Sequence, residues 1–267
     1  MNLAKGDGDA DRQKERVRNQ FGISASDYAT SEVHARGESL LAMLKRVQPQ
    51  SDWHALDVAT GAGHTAAIFA PFVEKVIATD ITEEMLRATA KTMGSLGLTN
   101  VTTEPADAES LPFEDGSFDL VTCRLAFHHF SAPLKALEEF HRVLKPGGRL
   151  ALSDNYCTDD VSDARFYNEF EKLRDPSHVE VYSLPRLEAM LQDAHFSISS
   201  VEKFEKEFDF EPWAERQRVS ETNKRVLKQM LNQTPSGLLE WLKPKVAKDK
   251  HYFTLHEVVL IGLRGAA

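Results

Sequence analysis

The run Leu56-Asp57-Val58-Ala59-Thr60-Gly61-Ala62-Gly63-His64-Thr65-Ala66 sets an acid just ahead of a glycine turn, where a strand-like pattern passes into a helix-like one. Gly61 and Gly63 let the chain turn tightly and bring backbone close to a ligand that a Cβ would push away. Asp80 closes the next strand-like run, Val76-Ile77-Ala78-Thr79-Asp80-Ile81, and a carboxylate at that end can accept both hydroxyls of a ribose. The combination describes a site for a nucleoside-bearing cofactor. Two cofactors compete for it. Gly61-x-Gly63-x-x-Ala66 satisfies the dinucleotide fingerprint, but Asp57 places a fixed negative charge where a pyrophosphate would have to sit. S-adenosylmethionine has no phosphate and carries a sulfonium and an ammonium, so an acid near its amino-acid end is favourable. A tight turn with no ligand is the plain alternative.

These residues need a sheet edge to hold them. Strand patterns are read at Trp53–Val58, Lys75–Thr79, Val101–Glu104, Phe118–Cys123 and Arg149–Asp154. Helix patterns fall between them at His64–Ala70, Glu83–Leu96 and Pro133–Leu144, with a short one at Asp107–Ser110. Strands spaced by helices of this length predict right-handed βαβ units and a parallel sheet covered on both faces. Upstream, the first dozen residues are expected to be mobile. Helix in pieces follows from Arg12 to Val47, interrupted at FGISASDYATS and capped by Ser31. Downstream, helices are expected at Asp163–Arg174 and Leu184–Asp193, and strands at Phe196–Phe204 and Phe253–Leu263. Between those strands, Glu211–Lys250 reads as helical and carries Trp213, Trp241 and nine basic against five acidic residues.

Composition narrows the function classes. The 267-residue chain is 42% hydrophobic and carries a formal charge of −9, which speaks against general affinity for nucleic acid or anionic membranes. A local basic patch remains compatible with it. Cys123 and Cys157 cannot build a disulfide framework or a zinc site, and read as small apolar fillers. The polar N-terminus MNLAKGDGDADRQKER lacks a signal-like apolar core, and no apolar run is long enough to span a bilayer. A cytoplasmic location is expected.

With LDVATGAG, ATDIT, AESLPFEDGSFDLVTCRLAFHHF and RVLKPGGRLALSD taken together, the chain resembles the class I S-adenosylmethionine-dependent methyltransferases, especially the ubiquinone/menaquinone-biosynthesis branch. The resemblance covers roughly Phe21 to Phe204; Ala59 departs from it, standing where that loop commonly has glycine. It implies a Rossmann-like α/β fold, a mostly parallel seven-stranded sheet with helices on both faces and an inserted helical lid. One methyltransferase domain is expected: a helical cap over residues 1–50, a cofactor core over 51–204, a helical insert over 205–252 and a final strand over 253–267. It also implies roles. Asp57 and the backbone of Ala59, Gly61 and Gly63 would hold the methionine part of S-adenosylmethionine, and Asp80 the ribose, with Ile81 against the adenine. Asp107 would accept from the adenine amino group beside a backbone contact from Ala108. Arg124 would meet the ligand carboxylate, and Tyr28 belongs to a segment that closes over the cofactor. Their plainer readings are a helix cap for Asp107, a surface ion pair for Arg124 and packing for Tyr28.

Methyl transfer asks for alignment, water exclusion and, where the acceptor is a hydroxyl, a carbon acid or a protonated amine, a base. No metal is required. His128, just after the fourth strand, is the candidate base or substrate contact, and His129 is read as packing. His34 and His178 are weaker candidates. Segments Phe21–Val47, Tyr156–Tyr182 and Glu211–Lys250 are expected to select a small-molecule acceptor; the basic, aromatic insert would suit an anionic or aromatic one, and the plainer reading is that its cations form a solvated helix face. The rival readings are a relative that binds the cofactor without methylating and, further off, a nicotinamide oxidoreductase.

Overall fold

A computed structural model describes residues 7–29 and 37–266, with side chains from Gly8 to Ile23 and from Gly37 onward. The core strands are β1 (His54–Val58), β2 (Lys75–Asp80), β3 (Val101–Pro105), β4 (Phe118–Arg124) and β5 (Leu144–Asn155). They are followed by β6 (Phe196–Asp209), β7 (Lys245–Ala247) and β8 (Lys250–Arg264). The described residues form an eight-stranded sheet in the order β3-β2-β1-β4-β5-β8-β6, with β7 hydrogen-bonded to β8 off that path. β1 to β5 pair in parallel, whereas β8 enters antiparallel between β5 and β6. The order reverses between β1 and β4, and a crevice at the carboxyl ends of such strands is where open α/β sheets bind ligands.

The helices are α1 (Asp7–Ala29), α2 (Glu38–Val47), α3 (His64–Phe69), α4 (Glu83–Leu96) and α5 (Pro133–Val143). Later come α6 (Val161–Arg174), α7 (Leu184–Asp193), α8 (Phe210–Glu215), α9 (Glu221–Asn232) and α10 (Leu239–Leu242). Strand side chains alternate between two apolar layers, as the two-residue period requires. Leu56, Val121, Leu150 and Leu260 pack on one side with Leu137 and Phe140 of α5 and Leu187 of α7. Ala55, Leu120, Ala151 and Ile261 pack on the other with Met43 of α2 and Phe69 of α3. A third cluster joins Tyr167 and Phe170 of α6, Phe210 and Trp213 of α8, Leu227 of α9 and Phe253 of β8. This cluster sits over the prolonged ends of β6 and β8. No helix among the described residues is long and apolar enough to cross a membrane.

Several local expectations change. Helix begins at Asp7, inside the stretch expected to be mobile, and runs unbroken through Phe21–Ala29, where an interruption was expected. Its side chains dock on the rest of the chain at Gln13, Gln20 and Phe21, and such contacts override weak local propensity. The cap at Ser31 and the candidate His34 lie outside the described residues. Asp107–Ser110 is a turn closed by an isolated bridge instead of a short helix. β6 and β8 extend to Asp209 and from Lys250, because their antiparallel pairing continues to Asp209↔Tyr252. The insert is therefore helical only between them, and β7 adds a strand to it.

Candidate active site

Four strand ends deliver acids to one edge of the sheet. Asp57 lies one residue before the end of β1, Asp80 ends β2, Asp107 follows β3, and Asp154 precedes the last residue of β5. Asp57 is buried and spends its oxygens on the protein itself. One accepts from Thr60 Oγ1 at 2.5 Å and from the Ala66 amide at 3.1 Å, and the other from Thr122 Oγ1 at 2.6 Å. It thereby ties the glycine loop to the start of α3 and to β4. Burial pushes its pKa up to about 6, against the pull of those hydrogen bonds.

The loop it braces is bent through left-handed backbone at Ala59 (φ 54°), Gly61 (φ 57°) and Gly63 (φ 84°). A Cβ on Gly61 would meet nothing within 4 Å, so that residue leaves open space for a ligand. A Cβ on Gly63 would come within 2.8 Å of Thr89 Cγ2 and 2.9 Å of Met93 Cε, so this glycine serves close packing against α4. Thr89 Oγ1 completes the contact by donating to the Gly61 carbonyl at 2.8 Å. Ala59, Thr60, Gly61 and Ala62 line a cavity, with Asp57 and Gly63 standing behind them.

Asp80 faces that cavity, buried, accepting from the amides of Gly61 and Thr82, both at 2.9 Å. Burial raises its pKa against these bonds. Ile81, Asp107 and Ala108 continue the same wall. Asp107 is held by Lys14 of α1, whose Nζ lies 2.6 Å from Asp107 and 2.9 Å from Glu109. α1 lies across this edge, with Gln13 donating to the His129 carbonyl at 3.2 Å and Phe21 set edge-on to the His129 ring. Tyr28 falls in the last turn of α1, its side chain outside those described.

Across the cavity stand Arg124 and His128. Arg124 ends β4, buried, within the fields of Glu257, Asp57 and Asp154. His128 sits in a single 3-10 turn, Phe127–His129, with Nδ1 2.6 Å from Asp154 Oδ1 and its amide donating to Asp154 Oδ2 at 3.0 Å. Burial opposes charge on its ring, but the Asp154 carboxylate outweighs burial and raises the pKa above 6.5. His129 and His178 flank it, with ring centroids 4.1 and 5.6 Å from that of His128. Both are discharged by burial and by the neighbouring imidazoles, His129 to about 4 and His178 to about 2. His129 Nδ1 is 3.0 Å from the Ser177 carbonyl, and His178 Nε2 is 2.8 Å from Asn168 Oδ1.

The structure thus brings Ala59, Gly61, Asp80, Ile81, Asp107, Ala108, Arg124 and His128 onto one cavity. It adds residues that pattern reading passed over: Lys14, Asp154, Glu171, Asp175 and Lys206. Asp154 had a usable signal, since it is one more acid at a strand's carboxyl end. The basic insert follows the plainer reading of its cations, a solvated face, more than the pocket reading. Of its basic residues, Arg216 lines the cavity, whereas Lys224 and Lys228 pair with Glu211, and Lys243, Lys245 and Lys250 with Glu205, Glu207 and Asp209. The other cavity cations come from α1, β4, α6 and β6, as Lys14, Arg124, Arg174 and Lys206.

Comparison with known proteins gives a consistent set. Residues 56–152 match a methyltransferase domain model. The chain is 39% identical over 196 residues to the uncharacterized methyltransferase YcgJ of Bacillus subtilis (strain 168), covering 73% of this chain and 78% of that one. It is 41% identical over 101 residues to the ubiquinone/menaquinone biosynthesis C-methyltransferase UbiE of Pseudoalteromonas translucida, covering 36% of this chain and 40% of that one. A crystal structure of a Bacillus halodurans C-125 protein, assigned as a methyltransferase, superposes with a TM-score of 0.83 at 34% identity, covering 86% of this chain and all of that one.

Two predictions follow from the loop and the histidine stack. Ala59→Gly relieves left-handed strain and is expected to hold or raise stability by up to about 1 kcal/mol, while Gly63→Ala costs about 2 kcal/mol. Thermal melts of the two variants check the opposite signs. The depressed pKa values mean that the unfolded chain takes up protons at His129 and His178 below pH 6.5 while the native state does not. Stability present above pH 6.5 is therefore lost as the pH falls towards 4. His178→Gln, which retains a donor for Asn168, is expected to flatten the loss of Tm between pH 7 and 5; an unchanged slope would refute the assignment.

Proposed function

The chain belongs to the S-adenosylmethionine-dependent methyltransferase family, and from that premise we propose that it methylates a small-molecule acceptor, with His128 receiving a proton from that acceptor and Asp154 stabilising the imidazolium. The observation that carries the reading is the pairing of Asp80 with the open Gly61 loop on one cavity wall. That donor set fits a ribose, and the buried Asp57 behind the loop disfavours a pyrophosphate there. When bound, S-adenosylmethionine supplies an electrophilic methyl carbon attached to a sulfonium.

The chain's own residues do the rest. Asp80 accepts the ribose hydroxyls, exchanging its bond to the Gly61 amide, and Ile81 packs on the adenine. Asp107 accepts from the adenine amino group beside the Ala108 backbone, with Lys14 retained by Glu109. The backbone of Ala59 and Gly61 takes the methionine end with Arg124 at its carboxylate, and Asp57 fixes the loop and favours the ammonium. Tyr28 is assigned to the cover over the cofactor. Gly63 supports the loop through its packing on α4.

Acceptor chemistry centres on His128. With Nδ1 turned to Asp154, Nε2 is the nitrogen offered to a ligand, and Asp154 stabilises the imidazolium that forms when a proton is taken. Such a base suits a hydroxyl or a carbon acid. It works only when neutral, so the rate is expected to rise with pH through an apparent pKa above 6.5, the side to which Asp154 moves it.

Transfer of label from methyl-labelled S-adenosylmethionine to an acceptor tests the function. His128→Gln is expected to lower kcat by about 10²- to 10⁴-fold, and Asp154→Asn to lower it while moving the acid limb to lower pH. Tight binding of S-adenosylhomocysteine without label transfer to any acceptor would favour a non-methylating role. An acid limb that ignores Asp154→Asn would remove the dyad from the mechanism.

A further inference from the structure

Helical spacing on α6 sets Tyr167, Glu171 and Arg174 on one side, and Asp175 follows just past its end. Glu171 and Arg174 line the end of the cavity away from Asp80, together with Trp213 of α8 and with Phe208 and Leu255 of the β6·β8 ribbon. Arg174 joins its neighbours into one unit. Its Nη1 lies 3.7 Å from Glu171 Oε2, its Nε donates to the Trp213 carbonyl at 3.3 Å, and its guanidinium sits 4.5 Å over the Trp213 ring. Two atoms of this unit are left over. Glu171 is 4% exposed and Trp213 is 1% exposed, yet Glu171 Oε1 and Trp213 Nε1 have no hydrogen-bond partner among the described residues. Buried polar atoms are nearly always paired, so an acceptor and a donor left open on a cavity wall point to a ligand that fills both.

Electrostatics narrows what that ligand is. Burial raises the Glu171 pKa, Arg174 and His128 pull it down, Asp175 adds to burial, and Tyr167 also favours the carboxylate. The link to His128 is reciprocal, because Glu171 is among the carboxylates that raise the His128 pKa. The open oxygen therefore belongs to a carboxylate within the field of the base. Around it, Lys206 and Arg216 line the same end as Asp175 and Glu257. Asp175 accepts from Gln217 Nε2 at 2.9 Å and from Ser177, and Glu257 accepts from Ser39 Oγ at 2.5 Å. An anion placed here meets three carboxylates and a cation meets the guanidinium and ammonium groups, so walls of mixed sign favour a neutral, hydrogen-bonding group over either ion.

We propose that Glu171 and Trp213 select the methyl acceptor, which is an uncharged molecule with an apolar body and a hydroxyl that donates to Glu171 Oε1 and accepts from Trp213 Nε1. The inference rests on the methyltransferase reading above, which places the cofactor at Asp80 and Asp107 and leaves this end to the acceptor. A hydroxyl donates and accepts through one oxygen, so a single group satisfies both open atoms. A hydrogen bond to a buried carboxylate is stronger than one between neutral groups, and a molecule lacking the donor leaves Glu171 Oε1 unpaired. Phe208 and Leu255 supply the apolar wall for the body. His128 borders the same cavity, so a molecule anchored at Glu171 lies beside the base.

The test is calorimetric binding of benzyl alcohol, benzyl methyl ether, benzoate and benzylammonium to the full chain, each with and without S-adenosylhomocysteine. Benzyl alcohol is expected to bind about tenfold more tightly than the ether, which has no donor, and more tightly than either ion. Glu171→Met should weaken benzyl alcohol about tenfold while the ether and S-adenosylhomocysteine stay within about twofold, the latter showing that the variant is folded. Glu171→Gln, whose amide oxygen still accepts, should lose less than Glu171→Met, and Trp213→Phe should weaken the alcohol more than the ether. Equal binding of alcohol and ether to wild type, or an alcohol affinity indifferent to Glu171→Met, would overturn the subsite. Tightest binding of benzoate or of benzylammonium would overturn the neutral class. Absence of S-adenosylhomocysteine binding with the alcohol preference intact would instead contradict the proposed function and leave the subsite standing.

Discussion

A carboxylate buried at the point where the strand order reverses holds the site together. Asp57 is 1% exposed, and everything it binds is the protein: the Thr60 hydroxyl, the Ala66 amide and the Thr122 hydroxyl. Burying a charge is costly unless it is fully hydrogen-bonded, and here the bonds join the loop, the first turn of α3 and the neighbouring strand. The positive-φ turns at Ala59, Gly61 and Gly63 depend on that brace. So does the position of the Gly61 amide, which in turn holds Asp80. Strain in the backbone is tolerated where the surroundings over-determine it, and Asp57 supplies much of that determination.

The cavity built on this brace carries charges of both signs along its walls. Its cofactor wall is acidic, through Asp80, Asp107 and Glu109, and suits hydroxyls, an amino group and a sulfonium. Its far wall mixes Arg124, Arg174, Lys206 and Arg216 with Glu171, Asp175 and Glu257. Between them stands His128, whose charge is set by Asp154 and fenced by two neutral histidines. One imidazole of the stack is thus singled out to carry a proton, and it is the one paired with a carboxylate.

Much of this was legible in the chain before any coordinates. Alternation and turn residues fix β1 to β5 to within a few residues, because parallel strands buried on both faces read as apolar runs between glycine and proline signals. The cofactor wall was legible for a similar reason: its acids follow strands directly. What escaped depends on distance in the chain. Lys14 meets Asp107 across 93 positions, and Lys206 is set opposite Leu255, two residues from Glu257, by strand register that the β6 sequence alone does not announce. For the insert, composition counts charges without orientation and so left a pocket lining and a solvated face both open; most of its lysines pair with carboxylates, as the solvated face requires. α1 misled because its helix is secured by Gln13, Gln20 and Phe21 docking on distant segments.

The central claim is that Asp80 and the braced loop form a nucleoside-cofactor cradle without a pyrophosphate site. Calorimetric titration of wild type and Asp80→Asn with S-adenosylhomocysteine, and of wild type with NAD, tests it most directly. Wild type is expected to bind S-adenosylhomocysteine and not NAD, and Asp80→Asn to lose at least tenfold in S-adenosylhomocysteine affinity, corresponding to about 1.4 kcal/mol or more. Saturable NAD binding at the same site, or S-adenosylhomocysteine affinity indifferent to Asp80→Asn, would contradict it.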